Sequence, residues 1–197
     1  MSERQSQRQR STTETNISID LDLDGDEGSE VSTGLPFFDH MLAQLARHGG
    51  WRLRVAAVGD LAVDAHHTVE DTGILLGECL REALGDKRGV RRFASAAVPL
   101  DEALVDVALD LSGRPFLHYE VDPPGEKILG DPPFDPQLAE EFWRAFVVAA
   151  GITLHVVLVR GRNTHHILES AFKGVARSLR DAVRLEGEGV PSTKGTL

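Results

Sequence analysis

Two stretches decide how this chain is read: Asp64-Ala65-His66-His67-Thr68-Val69-Glu70 and, 99 residues further on, Asn163-Thr164-His165-His166-Ile167-Leu168-Glu169. The correspondence runs on downstream, where Leu80 matches Leu179, Arg81 matches Arg180 and Ala83 matches Ala182. Upstream, residues 50–55 match 151–156 at an offset of 101, and residues 14–25 match 102–113 at an offset of 88. A drifting offset is what loop insertions produce, because loops tolerate them. A repeat of this length sets the architecture before any other argument. The chain is two copies of one plan.

Each copy has the same order of elements. Ile17, Ile19, Leu21 and Leu23 alternate with Asn16, Ser18, Asp20 and Asp22, which is a half-buried strand, and residues 103–111 are its counterpart. A helix follows over 36–48, opened by Pro36 and stopped at Gly49-Gly50; its mate covers 136–150 and stops at Gly151. Strands come next at 51–58 and 153–159, then long helices at 65–84 and 164–185. Short strands fill the gaps near 30–33 and 116–121. The expected fold is α+β: internally duplicated β-β-α-β-α halves, sheets with helices packed on one face. The divisions expected are a flexible segment at 1–13, a first half at 14–95, a second half at 96–186 and a tail at 187–197.

Composition narrows the function classes. In 197 residues, 41% are hydrophobic, which suffices for a core and excludes a disordered chain. No apolar run approaches the ~18 residues of a membrane span. Cys79 is the one cysteine, so no internal disulfide can form, and a reducing, cytoplasmic setting fits. The opening MSERQSQRQR has charge but no apolar segment after it, so no secretory signal is expected. A net charge of −10 argues against nucleic acid as a partner.

The paired histidines point to metal. Asp64 and Asn163 are both residues that cap helix N-termini, which puts each His-His-x-x-Glu in the first turns of a helix. Residues three and four apart share a helix face, so Glu70 lies on the side of His66 and His67, and Glu169 on the side of His165 and His166. Neighbouring histidines differ in direction by about 100°, so each serves a different ion. One such motif reads as a solvated helix cap; two copies with the same spacing do not. His40 adds a donor from the first helix, and its counterpart at offset 101 is Glu141. The ligand set is then five His and three carboxylates, four per ion. Mixed nitrogen and oxygen donors suit Zn²⁺, Fe²⁺ or Mn²⁺ rather than Ca²⁺ or Mg²⁺. His48 and His155 are weaker candidates. Arg91-Arg92, Ser112-Gly113-Arg114-Pro115 and Ser192-Thr193-Lys194-Gly195 put cations at turns, which suits a phosphate or carboxylate. Lys194 has no evident anchor in its own half, so docking onto a neighbouring subunit or ligand would order it. On these residues alone a dinuclear hydrolase or a metal-buffering assembly are rival readings.

The motifs TGLPFFDHML (33–42), GDLAVDAHHTVED (59–71), PLDEAL (99–104), DLSGRP (110–115), GRNTHHILESAFKGVARSLR (161–180) and PSTKG (191–195) together resemble the imidazoleglycerol-phosphate dehydratase family of histidine biosynthesis. The resemblance spans about residues 14–197. It implies dehydration of D-erythro-imidazoleglycerol phosphate to imidazole acetol phosphate, two Mn²⁺ per active site, and a homo-oligomer, a 24-mer with sites where subunits meet. By motif, His40, His66, His67, Glu70, Glu141, His165, His166 and Glu169 are implied as ligands, although many members carry His where this chain has Glu141. Glu14, Gln44, Arg92, Arg114, Ser192 and Lys194 are implied as substrate-binding, and Glu14 or Glu169 as the proton-transfer group. The chemistry needs such help, because the C–H to be broken has no adjacent carbonyl. An imidazole ring held between two metal ions can expel the neighbouring hydroxyl and acidify that C–H for a carboxylate to remove.

Overall fold

The computed structural model describes residues 4–26 and 28–197. In chain order the first half holds β1 (Gln5–Ser11), β2 (Thr15–Asp22), β3 (Gly28–Ser32), α1 (Pro36–Gly49), β4 (Arg52–Gly59) and α2 (His66–Leu84). The second holds β5 (Phe93–Leu100), β6 (Ala103–Asp110), β7 (Phe116–Glu120), α3 (Leu138–Ala150), β8 (Thr153–Arg160) and α4 (Thr164–Ala182).

The alternation read in β2 is real: Ile17, Ile19 and Leu21 are buried, while Asn16 and Ser18 face out. β6 repeats the pattern with Ala103, Val105, Val107 and Leu109. Each half forms one four-stranded sheet, ordered β1-β2-β4-β3 and β5-β6-β8-β7. Most pairs are antiparallel; β3 runs parallel to β4, and β7 to β8. Parallel neighbours need a crossover, and α1 and α3 supply it. Helices cover one face of each sheet, leaving the other to solvent. The halves then meet helix to helix, α1 on α4 and α2 on α3, so the helices form a middle layer. That layer holds the largest buried side chains, including Trp143, Phe142, Phe146 and Phe172.

The duplicated α+β plan therefore holds, and each half opens with one strand more than the alternation revealed. Residues 5–11 of the expected flexible segment are strand β1; residues 1–3 lie outside the described residues. QSQRQRS has no apolar periodicity, and Ser6 alone is buried. The strand is held by its ladder to β2 and by ion pairs onto α2: Arg8 to Glu78 and Glu82, and Arg10 to Asp71. Strand β5 likewise moves the division between halves from residue 95 back to the connection at 85–92. Helix α4 ends at Ala182, three residues before the expected 185. Beyond it the chain turns to pair with residues 89–92: the Arg91 and Arg92 N–H groups donate to the carbonyls of Arg184 and Ala182, and Leu185 bridges Val90. The start of the tail is held by that connection, through the Gly89 N–H on the Gly189 carbonyl at 2.9 Å and Arg92 Nη1 on the Pro191 carbonyl at 2.8 Å.

Where α2 meets α3, the backbones come close because Gly73 and Gly77 carry no side chain. A Cβ at Gly73 would lie 2.6 Å from the Phe142 carbonyl oxygen, and one at Gly77 2.5 Å from that of Phe146. Gly77→Ala gains about 1 kcal/mol of helix propensity. Overpacking against rigid backbone costs about 1–3 kcal/mol, and the second effect wins at these distances. Thermal unfolding should show Gly77→Ala melting several degrees below the parent chain; an equal or higher melting temperature would contradict the close packing.

Candidate metal centre and anion pocket

Helix α4 starts as its sequence suggests, with the Asn163 side chain accepting the His166 N–H at 3.3 Å. Helix α2 differs by one residue. Ala65 holds its N-cap position, and Asp64, expected as the cap, accepts the His66 N–H at 2.8 Å from one place further out.

Both histidine pairs splay, with rings at 83° for His165/His166 and 86° for His66/His67. His165 turns along α4 to Glu169, its Nε2 lying 2.9 Å from Oε2. His40, carried across from the first half on α1, lies 3.4 Å from the same oxygen. The other carboxylate oxygen binds Lys173 Nζ at 2.6 Å. His40, His165 and Glu169 thus offer three donor atoms within 4.8 Å of one another. Burial works to raise the Glu169 pKa, but the bond to Lys173 and those to His165 and His40 prevail and hold it below the ordinary value.

The second member of each pair turns away from this helix face. His166 Nδ1 sits 2.8 Å from Glu102, in the β5–β6 connection, and not beside Glu169. Glu102 also accepts the backbone N–H groups of Arg162 and Asn163 at 3.1 and 2.7 Å. The His166 bond and these two bring its pKa down to about 2. In the first half, His67 Nδ1 lies 3.0 Å from Asp60 and 3.8 Å from Glu14. The hydrogen bond to Asp60 raises the His67 pKa. Glu14, Asp60 and His67 form a second three-donor group.

Four expected ligands stand apart: His166, which bonds Glu102; His66 and Glu70, which face each other at 3.9 Å; and Glu141, which pairs with Arg144 at 3.8 Å. None of the four belongs to a three-donor group among the described residues. The His40, His165 and Glu169 set mixes imidazole with carboxylate, which fits a first-row divalent metal.

The cations gather elsewhere. Arg92, Arg114, Ser192, Thr193 and Lys194 line a cavity of about 510 Å³. Arg92 clamps Asp110 through Nε and Nη2 at 2.7 and 3.1 Å while Nη1 holds the tail. Its backbone is left-handed, with φ of 78°, a conformation kept only where surrounding bonds enforce it. Arg114 Nη1 donates to the Ser112 carbonyl at 3.2 Å. Gln44 is not in this pocket; it bonds His48 Nε2 at 3.1 Å on α1. The Arg92 N–H meets the Ala182 carbonyl, at the C-terminal end of α4. His165 and His166 sit at the N-terminal end. At 1.5 Å of rise per residue the two ends are about 27 Å apart.

Three polar neighbours escaped the reading of the sequence: Asp60, Glu102 and Lys173. Glu102 was within reach of it, because the repeat aligns it with Glu14; Lys173 follows Glu169 by one helical turn.

Known proteins match most of the chain. The model of the family described as imidazoleglycerol-phosphate dehydratase matches residues 33–179. A protein of that name from Acidothermus cellulolyticus is 57% identical over 169 residues, 85% of this chain and 81% of the relative. One from Alkaliphilus metalliredigens is 53% identical over 175 residues, 88% of each. Among solved structures, the Pyrococcus furiosus enzyme in complex with (S)-C348 superposes with a TM-score of 0.83 at 38% identity, covering 96% of this chain and 100% of that one. The Staphylococcus aureus enzyme gives 0.80 at 39% identity, covering 92% and 99%. On this evidence the chain belongs to the imidazoleglycerol-phosphate dehydratase family.

Proposed function

We propose that this hydro-lyase converts D-erythro-imidazoleglycerol phosphate to imidazole acetol phosphate and water, with Mn²⁺ bound, as a homo-oligomer whose sites draw on more than one subunit. One observation carries the reading. Imidazole and carboxylate donors cluster at one end of α4, and an anion pocket lies at the other, about 27 Å away. The substrate carries an imidazole and a phosphate joined by three carbons. It cannot reach both clusters of one chain, so the two must come from neighbouring subunits. The resemblance in sequence supplies the size, a 24-mer.

In this reading His40, His66, His67, His165, His166, Glu70, Glu141 and Glu169 hold two ions. Bound metal supplies Lewis-acid polarisation of the imidazole ring. Arg92, Arg114, Ser192 and Lys194 grip the phosphate, and Gln44 the glycerol hydroxyls, which fixes the reacting carbons. Two carboxylates compete for the proton-transfer role, Glu14 and Glu169. Glu169 has both oxygens engaged, by Lys173 on one side and His165 and His40 on the other. Glu14 has a side chain 51% exposed and only a 3.8 Å approach to His67. It is the freer base, so we assign it the C–H proton and leave Glu169 as a ligand. Loss of that proton and of the neighbouring hydroxyl leaves an enol, which becomes the ketone.

Chelator-stripped chain should form no imidazole acetol phosphate until Mn²⁺ is returned; absence of product with every divalent metal would overturn the assignment. Glu14→Gln should lower kcat about 10²–10⁴-fold, the usual weight of a general base, with Mn²⁺ affinity unchanged in titration. Arg92→Ala and His165→Ala chains should each be inactive, yet recover activity when dissociated and reassembled together. No recovery from a properly mixed oligomer would mean that one chain supplies both clusters.

A further inference from the structure

We propose that Asp60 and Glu102 are positioning residues that set the ring tautomers of His67 and His166, each keeping the hydrogen on Nδ1 so that Nε2 is the nitrogen offered to metal. The inference rests on the metal-dependent reading above. An ionised carboxylate can only accept a hydrogen bond. At 3.0 Å from Asp60 and 2.8 Å from Glu102, each Nδ1 must therefore carry the hydrogen. In the neutral ring the lone pair is then on Nε2. Partners of this kind orient metal-binding histidines and raise their basicity.

The two halves reach this arrangement by different residues. By the repeat, Glu102 corresponds to Glu14, yet Glu14 stands 3.8 Å from its histidine. Gly161 meets Ile167 and Ala103 as Gly59 meets Thr68 and Thr15, so Asp60 corresponds to Arg162, which carries no carboxylate. Each half thus keeps one close carboxylate on the Nδ1 of its histidine, supplied by a different stretch of the repeat. In the second half Glu102 is pinned by the Arg162 and Asn163 N–H groups, which tie it to the start of α4. In the first half Asp60 takes over the hold on His67. That substitution releases Glu14 from the orienting task.

The test uses the full chain in two measurements. First, ¹⁵N NMR of the histidines in metal-free protein reports the tautomer directly. His67 and His166 should be Nδ1–H in the parent chain. Asp60→Ala should release His67 alone, and Glu102→Ala His166 alone, toward the Nε2–H form. Second, calorimetric titration with Mn²⁺ should show binding about 10- to 100-fold weaker in each variant, and Glu102→Asp should restore part of the loss. Unchanged tautomers, or Mn²⁺ affinities within about twofold of the parent, would overturn the proposal. If Glu102→Ala does not fold, Asp60→Ala decides the matter. A parent chain that binds no Mn²⁺ defeats the metal-dependent reading instead, and the NMR result still judges the tautomers separately.

Discussion

Neither half can bury its helices alone. Each sheet covers one side of two helices, and the other side is apolar as well, so the halves must close on each other. Apolar area removed from water stabilises at roughly 25 cal/mol per Å², and the middle layer is where this chain concentrates its aromatic rings. The arrangement also makes the site. His40 arrives on α1 of the first half, and His165 and Glu169 on α4 of the second. The packing that completes the core is what brings them within 3.4 Å. Helices also supply the stiffness a ligand set needs, because donors on packed helices cannot drift as donors on loops can.

Charge is distributed against the average. The chain carries a net −10, but Arg47, Arg177, Arg180 and Arg184 gather where the C-terminal ends of α1 and α4 meet. His48, in that region, has its pKa lowered by burial and by Lys173 and Arg177 close by. Local potential, not net charge, decides which ligands a surface receives. A chain of net negative charge can thus still present a locally cationic pocket, lined by Arg92, Arg114 and Lys194.

Much of the architecture was legible because the repeat appears twice and hydrophobic spacing is robust. Strands β2 and β6, the four helices, and the His-His-x-x-Glu starts all follow from periodicity and caps. What escaped has physical reasons. Strand β1 lacks an apolar face and is held by ion pairs with α2 that local pattern cannot reveal. The tail is anchored by backbone hydrogen bonds to residues 89–92, far away in sequence. Helical phase alone allowed Glu169 to serve either histidine, and Glu102 settled which by drawing His166 aside. Glu141 mirrors His40 by the repeat, and within the chain it pairs with Arg144 on its own helix.

The glycines of α2 carry a consequence for how the molecule came to be as it is. At the 99-residue offset, Gly73 corresponds to Phe172 and Gly77 to Ala176. The first half presents bare backbone to α3, where the second half presents a ring stacked on Phe142 and tilted against Trp143. A chain assembled from two identical second halves would need a phenyl group where not even a methyl carbon fits. The halves have become lock and key to each other. The duplication that produced them can no longer be run backwards one half at a time, and symmetry survives in the path of the chain but not in its interior.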